Sequence, residues 1–220
     1  MHNLLELIKL IDEYIIYLKN HQFRFDENGF PIFTEDMFLK EKPELIVPYS
    51  NRKNKIVKDK KKTLLCTFMP DKRIYPRLKN IFEDIEIYKE YLGVSTADVT
   101  VTEDMDKEWQ ELIILLNQLY GAILVVNGIK IVLNTRVGNL NNLRLFNNFP
   151  KNIMCISGFL GCEKADEYDY SYLSKIIFFF PSKLLIYGKE DKNVNCMLNN
   201  MGINYNYYVD FHRLSKGVMQ

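Results

Sequence analysis

The chain has four cysteines and three histidines in 220 residues, and none is spaced to hold a metal. Cys66, Cys155, Cys162 and Cys196 form no C-x-x-C pair, and His2, His21 and His212 are scattered, two of them near the termini. No metal site is read here, a disulfide scaffold is excluded, and the thiols are expected to be reduced in a cytosolic core. Glycine (10) and proline (7) are too few for a collagen-like or low-complexity chain. No charge of one sign dominates: 29 Lys and Arg stand against 28 Asp and Glu, a net charge of +1 that gives no bulk attraction to nucleic acid or membrane. No apolar run reaches the ~18 residues of a membrane span. The opening MHNLLELIKLIDEYIIYLKN is interrupted by Lys9, Asp12 and Glu13, and no small-residue cleavage pattern follows. It reads as an amphipathic helix rather than a targeting segment, and the cytoplasm is the expected compartment. Nucleophile-elbow, H-E-x-x-H and EF-hand patterns are absent.

What is present is an alternation of two periods. Leu4, Leu5, Ile8, Ile11, Ile15, Ile16 and Leu18 recur at helical spacing. Residues 23–49, broken by Gly29, Pro31, Pro43 and Pro48, read as an irregular wrap with short strands. From Thr63 the spacing predicts strands at TLLCTF (63–68), ADVTVT (97–102), GIKIVLNT (128–135), NIMCIS (152–157), KLLIYG (183–188) and INYNYYV (203–209). Helices are predicted between them, at about 74–91, 106–127, 140–148, 168–180 and 192–201, the third position being a short one. Continuous apolar strands joined by helical crossovers mean an α/β fold with a mainly parallel sheet of five or six βα units. Whether the sheet is open or an incomplete barrel stays undecided. The expected division is an N-terminal helix and basic wrap over 1–62 and an α/β domain over 63–220.

In either arrangement the functional edge is the carboxyl end of the strands. Read in order, that edge carries Pro70-Asp71, then Asp98 with Glu103 and Asp104, then Asn134, Arg136 and Gly138, then Ser157-Gly158, then Tyr187-Gly188-Lys189. Carboxylates, an arginine, hydroxyls and glycines suit a phosphate or another anion, with Arg136 as the bidentate charge and the glycine loops as N–H donors. The candidate ligand-binding set is therefore Asp98, Asn134, Arg136, Ser157, Gly158, Tyr187 and Gly188. The catalytic candidates are Asp98, Glu103 and Arg136. Plainer readings exist for several: Gly158 and Gly161 in SGFLGC suit a tight turn, and Glu103, Asp104 and Asp106 suit a helix start. Asp98 lies in a predicted buried strand, so it needs a partner, and Arg136 is the obvious one, as a structural pair or as part of a site.

The neutral total hides a segregation of charge. Residues 40–79 hold thirteen basic and four acidic side chains, and residues 81–113 hold two basic and ten acidic. The core of the basic belt is NRKNKIVKDKKK (51–62), with Arg52, Lys53, Lys55, Lys58, Lys60, Lys61 and Lys62. It reads as a solvated loop, as a contact for an RNA or DNA backbone with Tyr49, Phe68 and Tyr75 as stacking rings, or as a partner for the acidic helices of its own fold or of a twin subunit.

From about Ile46 to Gly188 the chain resembles the domain of unknown function 4417 family of bacteria, phages and other mobile elements. The resemblance rests on an ordered series: PYSNRK, GVSTADVTVTEDM, NGIKIVLNTRVGN, FPKNIMCISGFLGC and LLIYGK. It includes a strand-borne acid (Asp98) followed by Thr100, Asp104 and Met105, an N-G-I-K junction at Asn127 to Lys130, an R-x-G exit at Arg136 and Gly138, a P-K-N turn at Pro150 to Asn152, and a Y-G exit at Tyr187-Gly188. Ala97 and Val99 stand where relatives often carry Pro and Phe. The resemblance implies a phage or mobile-element accessory protein acting on RNA or on host defence or translation machinery, through the basic belt and the strand-end pocket. The residues also admit a phosphodiester or phosphate-handling enzyme, with Mg²⁺ at the strand ends as its cofactor. They admit, thirdly, a peptide- or protein-binding module using Tyr205, Tyr207 and Tyr208. No membrane partner is expected, and a homo-oligomer is compatible with the charge pattern.

Overall fold

A computed structural model describes residues 4–158 and 170–217. His2, Gly161 and Cys162 lie outside the described residues. Seven strands form one sheet in the order β1-β2-β3-β4-β5-β6-β7, with every neighbouring pair parallel. They are β1 (Leu45–Pro48), β2 (Thr63–Cys66), β3 (Gly93–Ser95), β4 (Ile131–Asn134), β5 (Met154–Gly158), β6 (Lys183–Tyr187) and β7 (Tyr205–Tyr208). Strictly sequential parallel order curls the sheet into a nearly closed barrel. The Tyr208 hydroxyl donates to the Pro43 carbonyl at 2.7 Å, bridging the last strand to the chain just before the first.

Alternation along the strands divides the apolar residues into two cores. Ile46, Leu64, Cys66, Phe68, Val132, Met154, Ile156, Leu185, Tyr187 and Tyr208 form one cluster, the barrel interior, which Leu39 joins. Their neighbours Val47, Leu65, Val94, Ile131, Leu133, Cys155, Leu184 and Ile186 belong to a second cluster shared with the helices. The strands are thus buried on both faces, which is why they read as continuous apolar runs.

The helices are α1 (Leu4–Asn20), α2 (Asp71–Lys79), α3 (Ile81–Lys89), α4 (Lys107–Val126), α5 (Tyr170–Phe179), α6 (Lys192–Asn200) and the single turn α7 (Phe211–Leu214). A 3₁₀ segment at Leu140–Phe146 occupies the predicted short helix. α4 is long and apolar enough by composition to cross a membrane, but two thirds of its apolar window is buried in the protein, as in a core helix. It stops at Asn127-Gly128 as expected: Gly128 takes φ +80°, and the N–H groups of Gly128 and Ile129 return to the carbonyls of Val125 and Leu124.

Three details differ from the sequence reading. A seventh strand, β1, comes from the proline-flanked residues 45–48 and pairs with β2 along its whole length. The predicted helix over 74–91 is two helices, because the chain leaves helical geometry at Asn80 (φ −105°, ψ 22°). The second strand is Gly93–Ser95 rather than ADVTVT. Ala97, Val99 and Val101 do alternate inward and are buried, but no strand pairs with them. Instead the Asn117 side chain bonds both the N–H and the carbonyl of Val99, and Asp71 accepts from the N–H and hydroxyl of Thr100. Side chains from helices therefore satisfy this extended backbone.

Candidate functional site

Asp98 follows β3 by three residues, and its side chain is buried. Its carboxylate accepts from Arg136 Nε at 2.6 Å and Nη2 at 3.3 Å, and from Asn134 Nδ2 at 2.6 Å. Asn134 ends β4, and its Oδ1 accepts the Arg136 backbone N–H at 3.2 Å, so one amide orients both partners. Thr96 holds Asn134 in turn: its hydroxyl accepts the Asn134 N–H at 2.9 Å. Below it, the Thr67 and Ser95 hydroxyls both donate to the Thr96 carbonyl. A ladder of small hydroxyl residues thus carries the strand ends into the clamp.

Burial pushes the Asp98 carboxyl above the ordinary aspartate range, with the Asp71 charge adding to the rise, while Arg136 and Asn134 pull it back. Arg136 is about a third exposed against 8% for Asp98, so the guanidinium is the member of the pair that meets solvent.

The register extends the site across the sheet. Asn134, at the end of β4, is level with Ile156, and two residues further along β5 Gly158 pairs with Tyr187, which pairs with Tyr208. Gly158 packs closely on Phe68: a Cβ there would lie 3.0 Å from the ring, which would have to shift slightly. Phe68 stacks on Tyr187 with ring centroids 5.5 Å apart. The Tyr187 hydroxyl accepts the Phe211 N–H at 2.8 Å, and burial raises its pKa far above the usual range. Gly188 N–H donates to the Tyr208 carbonyl.

The structure therefore brings Asp98, Asn134 and Arg136 into one cluster and puts Gly158, Tyr187 and Gly188 on its flank. Ser157 alternates with the interior residues Ile156 and Gly158, so it faces the outer layer, not the mouth. Glu103 is elsewhere: with Met105, Lys107, Gln110, Asn139 and Arg144 it lines a cleft of about 570 Å³ beside α4. Among the described residues no group of three or more His, Cys, Asp or Glu side chains is placed to hold a metal ion. Thr96 and Thr67 join the cluster without being singled out in the sequence, whereas the sequence reading has Asp71 on this edge and Phe68 as a ring of the basic belt. The hydroxyls directly after two apolar strands, Thr67 and Thr96, were the available signal.

The basic run is partly neutralised within the fold. Arg52 packs over the Tyr49 ring at 4.0 Å, Lys60 pairs with Glu90, Lys61 donates to the Lys89 carbonyl at 2.9 Å, and Lys62 pairs with Glu44 at 2.7 Å. Lys53, Lys55 and Lys58 are exposed and have no ion-pair partner among the described residues. Of the expected stacking rings, Tyr49 and Phe68 are buried and Tyr75 is half-buried, which leaves no open aromatic platform there. Tyr49 instead donates to Asp84 at 2.6 Å, where Arg77 also binds. Comparison with protein-family models, curated proteins and solved structures returns no match.

Proposed function

We propose that the protein binds RNA through its backbone phosphates at the carboxyl ends of the strands, as an accessory protein of phages and other mobile elements. The observation that carries this reading is the Asp98–Asn134–Arg136 clamp, in which a guanidinium is oriented by a buried carboxylate and presented at the rim of a parallel barrel. Lys72 and Arg73 are exposed at the start of α2, past the end of β2 on the same edge. Lys53, Lys55 and Lys58 stand on the segment that leaves the end of β1. Cations without an open aromatic platform suit a phosphate chain better than unstacked bases. The resemblance to the domain of unknown function 4417 family supports the mobile-element setting.

The test is fluorescence anisotropy with a labelled single-stranded RNA in low salt. Wild type is expected to bind, and Arg136→Ala to weaken binding roughly tenfold or more. Because Arg136→Ala also strips Asp98 of its partner, Lys72→Ala/Arg73→Ala, which leaves the clamp intact, serves as the second variant and is expected to weaken binding too. No rise in anisotropy up to roughly 100 μM protein, the weak end of ordinary non-specific affinity, would overturn the proposal.

A further inference from the structure

α1 buries Leu7, Leu10, Ile11, Tyr14 and Leu18 against the body of the protein, yet its other side is not wholly polar. Leu4, Leu5, Ile8 and Ile16 are exposed, Leu5 and Ile16 by 60% and 61%. An amphipathic surface helix carries one apolar stripe and a charged opposite face. This helix carries a second stripe as well, one in which apolar and charged residues mix.

The composition of the second stripe is specific. Leu5, Lys9, Asp12 and Ile16 are all exposed and are spaced four, three and four residues apart. At 100° per residue they fall within about 60° of one another, a single line along the helix. Spacings of four and three are those of a helix-pairing seam. The stripe is also its own complement. Laid antiparallel on a copy of itself about a two-fold axis, it sets Leu5 against Ile16 of the copy and Lys9 against Asp12 of the copy, each twice. Neither Lys9 nor Asp12 has an ion-pair partner among the described residues, whereas Glu6 and Lys79, near the buried side, do. Ile8 and the half-buried Ile15 flank the line and widen its apolar area.

We propose that α1 is an isologous interface, and that the partner is a second copy of this chain paired antiparallel through Leu5, Lys9, Asp12 and Ile16. The geometry is that of a two-fold contact, in which a patch must match itself. A one-helix seam is smaller than a standard stable interface of about 800 Å² per partner, so the dimer dissociates on dilution.

Sedimentation velocity on the full chain, from about 1 to 200 μM, tests this, a range that brackets the micromolar affinity of a small interface. Wild type is expected to move from monomer to dimer across the range. Ile16→Glu is expected to stay monomeric with an unchanged thermal melting point, since its side chain is outside the core. Lys9→Glu, which sets an acid against Asp12 of the copy at two places, is expected to weaken the dimer at least fivefold, and Lys9→Glu/Asp12→Lys to restore it. A wild type that is monomeric throughout overturns the proposal, as does a dimer indifferent to both Ile16→Glu and Lys9→Glu. A monomer that co-sediments with phosphatidylglycerol vesicles would also overturn it, assigning the stripe to a lipid surface.

Discussion

Arg136 Nε lies 2.6 Å from Asp98 Oδ1, joining the chain beyond β3 to the chain beyond β4 through a carboxylate that is almost wholly buried. The asymmetry of exposure gives the pair its character. The carboxylate belongs to the interior and the guanidinium, about a third exposed, to the rim.

Removing both members should cost less than the sum of the two single removals. Arg136→Ala leaves a buried carboxylate with Asn134, and Asp98→Ala removes the carboxylate that both the guanidinium and the Asn134 amide donate to. Each single variant is expected to lose about 3 kcal/mol of stability. The double variant should lose less than the sum, with a coupling of about 1–3 kcal/mol read from urea unfolding of all four proteins. Additive losses would mean that the pair does not interact in solution.

Asp98 also gives a pH signature. Burial raises its pKa in the folded chain above that in the unfolded chain, so folding takes up a proton between the two values. The group's contribution is fully present below the unfolded value and is lost as pH rises through the folded one. Wild type should therefore lose stability relative to Asp98→Asn as pH is raised from the ordinary aspartate range through the folded-state value. Arg136→Ala should extend the loss to higher pH. Parallel unfolding curves for wild type and Asp98→Asn at every pH would contradict this.

The barrel seam is held at one point by Tyr208 Oη on the Pro43 carbonyl. Tyr208→Phe keeps the ring and removes the bond, and should cost about 1 kcal/mol. Burial raises the pKa of both Tyr207 and Tyr208 to about 12. Their contribution is complete below the free phenol value and is lost as pH rises through about 12. Spectrophotometric titration should show a late-ionising fraction of the tyrosines that shrinks in Tyr208→Phe.

Gly158→Ala puts a methyl group 3.0 Å from the Phe68 ring, which is itself stacked on Tyr187. Overpacking of this kind should cost about 1–3 kcal/mol. Phe68→Leu, which is unfavourable alone, should recover part of the loss in the double variant, as thermal melting would register.

Replacing Lys53, Lys55 and Lys58 with alanine should leave stability unchanged, because none of the three makes an ion pair with a described residue. The same change should lower the salt dependence of RNA binding by a slope of about 2, three phosphate contacts at ~0.7 each on a single strand. Substituting Lys60, which is held by Glu90, should lower it less.

Local signals in the chain were enough for the fold class, the order of most elements, the cap at Asn127-Gly128, and the need of Asp98 for Arg136. Each rests on short-range physics: strand and helix periods, glycine at a positive φ, and the cost of burying an unpaired carboxylate. Other features needed the assembled molecule. β1 is a strand because β2 offers it a parallel edge, whereas in 97–102 the backbone groups of Val99 and Thr100 bond to the side chains of Asn117 and Asp71 rather than to a strand. The near-closure of the barrel, the removal of Glu103 from the site, the burial of Tyr49 and Phe68, and the neutralising of Lys60 and Lys62 were likewise decided in three dimensions. All of them depend on partners distant in sequence, and a hydrogen bond or ion pair of that kind has no period along the chain for a reader to find.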